Sequence, residues 1–348
     1  MKHGIDTSVK NLYTKIYDSA KGQFDLFTLF IELAFSIGRS VAYIVPKPVL
    51  NNENYTITRK QLLNNNLALV VTGSSVFESA GVESCIFLTV KERLIKKVAI
   101  LEYTNRIIEH KKDIDTNYFH QANNNIISTE ISDSDIEVMN KLNRFNKLDE
   151  ILIIKRGIEA GKKDDSIVEY PTKYKLLRGQ DLERYNICFD NKYCEFDVHD
   201  TSKFKDISLY NEGKIILRRV TNFIQATYDN AHYVVLNTIY CAKLKAGISG
   251  NLKFFTAILN SKVISFWFFK TFCNTDKLFP YIRVSQLEQI PIPNTSLEIQ
   301  KEVASLVDDV IAKKTKGVES SDIERQIDNI IYQLYNLTDD EIKLIEQA

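Results

Sequence analysis

Phe24-Asp25-Leu26-Phe27-Thr28-Leu29-Phe30-Ile31-Glu32-Leu33-Ala34-Phe35 is apolar almost all the way round a helical projection. A helix of that kind packs on a sheet or inside a core rather than along a wet surface. Gly38 closes it. Ser40–Val45 (SVAYIV) follows, an apolar run suited to a buried parallel strand and ended by Pro46 and Pro48. Working outward, Ile57–Leu63 reads as a helix, and Leu67–Thr72 (LALVVT) and Cys85–Val90 (CIFLTV) as two further buried-type strands. This alternation predicts an α/β layer over residues 1–103.

The layer reads as incomplete. An open parallel sheet binds its ligand at the carboxyl ends of its strands, usually beside a Gly-rich first turn. There is no G-x-G-x-x-G and no strand ahead of the first helix, and Gly73-Ser74-Ser75 reads as a plain turn. Three strands would leave a bare sheet edge and an uncovered apolar helix face.

Residues 104–150 change character. Gln121–Asn125, Ser128–Ser134 and a sparse apolar content predict a linker with one short helix near Ile136–Asn143. From 151 to 295, short runs such as Ile151–Ile154, Lys214–Leu217 and Tyr233–Leu236 are broken by Gly, Asn and Asp, which predicts an α+β domain. Leu252–Phe272, carrying Trp267, reads as one long helix inside it. Residues 296–348 read as a helical tail, with helices over Leu297–Lys313 and Asp322–Leu337.

The 348 residues are 44% hydrophobic and 26% charged, a globular composition with room for two domains. No uninterrupted apolar run approaches the roughly 18 residues that span a bilayer, so no membrane partner is expected. The start of the chain lacks a signal-peptide apolar core. Five cysteines, an odd and scattered count, predict free thiols and a cytoplasmic setting.

Enzyme motifs are absent: no H-E-x-x-H, C-x-x-C, G-x-S-x-G or P-loop. Cys188, Cys194 and His199 match no common zinc spacing and lack a fourth ligand, so no metal is expected. Glu109-His110-Lys111 has no upstream Asp at a spacing that suits a metal-dependent nuclease.

The zero net charge hides a gradient. Residues 1–150 hold 18 basic and 18 acidic side chains, residues 151–290 hold 21 and 15, and residues 291–348 hold 6 and 12. A basic middle is therefore cancelled by an acidic tail. Such a segment suits phosphate binding, although a solvated basic surface would have the same composition. Within it, Arg156-Gly157-Ile158-Glu159-Ala160-Gly161-Lys162-Lys163 pairs lysines with glycines that allow backbone N–H groups to approach an anion. Arg178 lies in Leu176-Leu177-Arg178-Gly179-Gln180-Asp181. Arg218 and Arg219 sit at a strand end, where a guanidinium fork can reach phosphate or guanine. Because successive strand residues point to opposite faces, only one of that pair can enter a groove. Lys277 precedes Phe279-Pro280-Tyr281-Ile282-Arg283-Val284, which supplies Arg283.

The ordered segments RGIEAGKKD, LLRGQDLERY, KIILRRV, LNSKVISFWF and FPYIRVSQLEQIPIP resemble the successive landmarks of adenine-specific DNA methyltransferases with a TaqI-like C-terminal specificity domain, a group that includes type IIG restriction-modification enzymes. IERQIDNIIYQLYNLTDDEI is similar to the closing helix these share with type I specificity subunits. FDLFTLFIELAF with SVAYIVPKPVL, and then VFESAGVESCIFLTV, resemble the elements just after that family's catalytic loop. The resemblance implies a partial Rossmann-like methyltransferase sheet, an α+β target-recognition domain and a helical tail. It implies double-stranded DNA as partner, with Lys162, Lys163, Arg178, Arg218, Arg219, Lys277 and Arg283 as its contacts.

The sequence departs from the family in lacking both the Gly-rich S-adenosylmethionine loop and the Asn-Pro-Pro-aromatic loop; no Pro-Pro pair occurs anywhere. No catalytic residue is carried over, and no cofactor is expected in this chain. Phe77 or Phe87 would be the aromatic that stacks on an extruded base. The chain is expected to bind duplex DNA without methylating it, and to pair with a chain supplying the missing methyltransferase half. The alternatives are a stand-alone specificity subunit and, less supported, a small-molecule α/β enzyme.

Overall fold

The computed structural model describes residues 6–73, 83–160, 165–195, 207–272 and 281–348. The chain divides into two compact units, Met1–Ile136 with Lys270–Cys273, and Glu137–Phe269 with Asn274–Ala348.

The first unit is built on strands β1 (Ser40–Pro46), β2 (Leu67–Gly73), β3 (Ser84–Val90), β4 (Lys97–Thr104) and β5 (Ile107–Asp115), in the spatial order β1-β3-β2-β4-β5. Helices α1 (Thr7–Ile16), α2 (Leu26–Ile37), α3 (Thr56–Asn64) and α4 (Thr116–Gln121) accompany it. The apolar runs were legible as strands, but their direction was not. β3 inserts between β1 and β2 and runs antiparallel to both, and only β2 and β4 pair in parallel. An apolar run records burial, whereas direction is set by connections that local patterning does not encode. The expected linker also needs correction, because β5 lies within it and pairs along the length of β4. β5 is polar because it is an edge strand, and Glu109, His110, Lys111 and Asp113 are exposed there. Charge along an edge guards its unpaired backbone groups.

One face of this sheet is buried through Val41, Val45, Val70, Phe87, Val98 and Ile100. The pairing register puts Ala42, Ile44, Leu69, Val71, Ile86, Leu88, Ala99 and Leu101 on the other face. Of these only Val71 is buried, and Ile44 is 47% exposed. Helix α2 repeats this pattern. Leu29, Ile31 and Phe35 are buried, while Leu26, Phe30, Leu33 and Ile37 form an exposed stripe at helical spacing, Ile37 at 81%. Phe87, one of the two aromatics considered for base stacking, is fully buried; Phe77 lies outside the described residues.

The second unit centres on an antiparallel sheet of β6 (Leu152–Arg156), β7 (Lys214–Arg218), β8 (Ala226–Asp229) and β9 (Ile239–Leu244), ordered β8-β7-β9-β6. A second, smaller sheet includes Tyr174–Leu177 and Val234–Val235, and the two share a core of Ile158, Leu176, Leu182, Cys194, Ile216 and Ile239. Helix α5 (Asp133–Leu142) precedes β6. The expected single helix over Leu252–Phe272 is two, α6 (Leu252–Asn260) and α7 (Lys262–Phe272), bent by 58° at Ser261. Ser261 is extended, and its hydroxyl accepts from the Ile264 amide at 3.2 Å, which starts a new helix. A short helix α8 (Val284–Leu287) precedes the tail, which holds α9 (Leu297–Thr315), α10 (Ser321–Leu334) and α11 (Asp339–Glu346). The expected last helix stops early because Asn336 turns left-handed (φ 54°) and Thr338 caps α11. Among the described residues no single helix is long and apolar enough to cross a membrane.

Candidate nucleic-acid interface

β7 ends in Arg218, with Arg219 just after it, beside the start of β9 and the end of β6. Leu217 pairs with Tyr240, and Tyr240 with Arg156. Arginines from two strands and the tyrosine between them therefore meet at one end of the sheet. Arg218 and Arg219 have different partners. Arg218 turns back on its own hairpin, donating from Nε to the Val220 carbonyl at 3.2 Å and from Nη1 to Gln225 Oε1 at 3.4 Å. Arg219 goes the other way, donating from Nη1 to the Asn237 carbonyl at 3.3 Å and lying over the Tyr281 ring at 5.3 Å. Arg283 also stacks on Tyr281, at 5.7 Å. Both are cation–π distances, which fix a guanidinium plane without neutralising it.

The segment after residue 280 is tied into this corner. The Ile282 amide donates to the Arg219 carbonyl at 2.8 Å, and the Tyr240 hydroxyl donates to the Ile282 carbonyl at 2.9 Å. The Arg219 guanidinium also acts on the Tyr240 hydroxyl, favouring its ionised form. Burial raises the Tyr240 phenol above its usual pKa against the opposing pull of Arg219 and Arg156, so it remains a donor at neutral pH. Arg156 forms an ion pair with Glu159.

Arg178 is placed differently from the other candidates. Its guanidinium donates to both oxygens of Asp181, at 3.2 and 3.1 Å, and to Asp190 at 2.5 Å. Two carboxylates offset its charge, so its first role is to hold the turn into Gly179–Asp181. Lys162, Lys163 and Lys277 lie outside the described residues.

The expected anion cradle at Gly157 needs correcting. A Cβ there would lie 2.3 Å from the Val235 carbonyl and 2.5 Å from that of Leu236. Gly157 is therefore a packing glycine that lets β6 run on beside residues 235–236. Cys194 is a core residue, its thiol pushed up to about 12 by burial, and His199 lies outside the described residues. Among the described residues no three His, Cys, Asp or Glu side chains gather as metal ligands.

The acidic tail accounts for part of the chain's neutrality. Asp308 pairs with Lys253, Glu346 with Lys262, and Glu324 with Arg184. None of the candidate contacts is the partner in these pairs. Tyr240, Tyr281 and Arg156 were not singled out from the sequence. The spacing Tyr281-x-Arg283 on an extended segment was the available signal for the first aromatic–arginine pair.

Comparison with known proteins agrees with this layout. The profile of the TaqI-like C-terminal specificity domain matches residues 174–292, and that of the Eco57I restriction-modification methylase matches residues 1–77. The chain thus matches, in order, part of the restriction-modification methylase profile and the TaqI-like specificity-domain profile. It is 26% identical over 296 residues to a Methanocaldococcus jannaschii protein named as a type II restriction enzyme and methyltransferase, covering 78% of this chain and 25% of that one. The fold is shared with the type IIL restriction-modification enzyme MmeI, solved in complex with DNA: TM-score 0.59, 10% identity, 97% of this chain and 53% of that one. The type IIG restriction endonuclease BpuSI aligns over 96% of this chain and 52% of that one, at 13% identity and a TM-score of 0.36. The chain spans about a quarter of its curated relative and about half of each of these structures.

Proposed function

We propose that this chain is the DNA-recognition part of an adenine-specific DNA methyltransferase of a restriction-modification system. The observation that carries this is the Arg219–Tyr281–Arg283 cluster, locked at one end of the β8-β7-β9-β6 sheet inside the matched specificity domain. Fixed guanidinium groups and an exposed aromatic are the means by which proteins hold phosphates and read base edges. A stand-alone specificity subunit is the competing reading, and the methylase match over residues 1–77 favours the first.

On this reading S-adenosylmethionine and the catalytic loop are supplied by other sequence. The full chain, without cofactor, should enrich duplexes sharing a short consensus from a random pool. Calorimetry with S-adenosylmethionine should give no binding at micromolar concentrations. Failure to enrich any consensus would refute the recognition role, and micromolar cofactor affinity would refute the division of labour.

On the same reading, the half-exposed apolar sheet face and the exposed stripe of α2 in the first unit would receive the methyltransferase half. An unpaired apolar surface of this kind marks an interaction site. We expect the full chain alone to bind a hydrophobic-surface dye strongly, and to lose that signal when a methyltransferase half bearing the Gly-rich and Asn-Pro-Pro loops is co-expressed with it. Weak dye binding by the chain alone would count against this partner.

A further inference from the structure

We propose that Arg219 reads a guanine in the recognised duplex, with Tyr281 as the plate that holds its guanidinium in reading orientation. The inference rests on the duplex-DNA reading above and goes beyond it by assigning one base and one residue. Arg219 is positioned through its backbone and its side chain together. Its amide donates to the Thr238 carbonyl, and its carbonyl accepts from the Ile282 amide. Its side chain meets the Asn237 carbonyl, the Tyr240 hydroxyl and the Tyr281 ring. Those contacts come from two separate segments, residues 237–240 and 281–282, so the group is held before any ligand arrives.

Such preorganisation suits base reading better than phosphate holding. A phosphate contact tolerates a mobile charge, whereas a bidentate pair with guanine O6 and N7 needs the fork in a fixed plane. A guanidinium carries five N–H donors. One goes to the Asn237 carbonyl. Donors remain for a two-point contact. No carboxylate is among these partners of Arg219, in contrast to Arg178 with Asp181 and Asp190. Tyr281 is 41% exposed, so the plate stands at the surface where a base edge can reach the arginine beside it.

Selection from a random duplex pool is the test, run on the full chain and on Arg219→Lys, Arg219→Ala, Tyr281→Leu and Tyr281→Phe. Lysine keeps the charge but lacks the fork. Arg219→Lys and Tyr281→Leu should lose a guanine preference at one consensus position by about 5- to 150-fold, the discrimination of one bidentate pair. Tyr281→Phe, which keeps the ring, should retain it. The fluorescence of Trp267, buried in the same unit, checks that each variant is folded. If Arg219→Lys keeps the unmodified consensus, or Arg219→Ala weakens all sequences alike, Arg219 is not a base reader. If Tyr281→Leu keeps the preference while Arg219→Lys loses it, Tyr281 is not the plate. If the unmodified chain enriches no consensus, the duplex reading fails and this assignment fails with it.

Discussion

Asp229→Ala is expected to destabilise the second unit by about 3–5 kcal/mol, the usual effect of stripping one partner from a buried ion pair. Lys214 and Asp229 sit opposite each other across β7 and β8, and their side chains are 0% exposed, with Nζ 2.5 Å from Oδ2. Asp229 also accepts from the amides of Ala231 at 2.8 Å and Tyr233 at 3.1 Å. Alanine would leave the buried ammonium without its carboxylate and take the acceptor from the Ala231 and Tyr233 amides. The pair staples the hairpin that presents Arg218 and Arg219. Urea unfolding read by Trp267 measures the effect, because its indole donates to Asn143 inside the same unit at 2.9 Å. Replacing both residues, as in Lys214→Met with Asp229→Leu, should recover most of the loss, since matched apolar residues carry no desolvation penalty. A loss below about 1 kcal/mol in the single variant would mean that the pair does not hold the hairpin.

How far the fold was legible depends on what each pattern records. The apolar stretch from Phe24 to Phe35 announced a helix contacted on several sides, and α2 has one apolar side buried and a second exposed. SVAYIV announced a strand but not its antiparallel neighbour, because β3 comes from more than forty residues downstream. β5 stayed hidden because edge strands carry charge, and charge resembles a linker. Ser261 inside an apolar run gave no break signal until its capping hydrogen bond was seen.

The candidate site divides in the same way. That Arg218 and Arg219 stand at a strand end was legible, whereas their separate partners come from residues 220–225 and 237–281, which the pair itself does not encode. Arg178 was open to a different reading from the start, since Asp181 stands three residues on, within reach of its guanidinium. Gly157 was ambiguous, because a glycine that admits a ligand and one that admits a neighbouring chain look alike in sequence. Arg156, Tyr240 and Tyr281 come from three segments that only the fold assembles, so no local motif marks them as one site.

The central claim, that residues 151–290 carry a duplex-binding surface, is tested most directly by titrating the full chain with duplex DNA over a range of salt concentrations. With Arg178 held by carboxylates and Arg219 reading a base, Lys162, Lys163, Arg218, Lys277 and Arg283 remain as phosphate contacts. About five such contacts give a slope of log affinity on log salt near −4.5, because each neutralised phosphate releases about 0.9 counterion. Affinity should then fall about 500-fold between roughly 50 and 200 mM salt. Lys162→Ala and Lys163→Ala should each flatten the slope by about 0.9 while weakening cognate and scrambled duplexes alike. A steep slope that these variants reduce is the predicted result. Absence of duplex binding at low salt, or an affinity indifferent to salt and to these substitutions, would contradict the claim and leave the basic middle of the chain as a solvated surface.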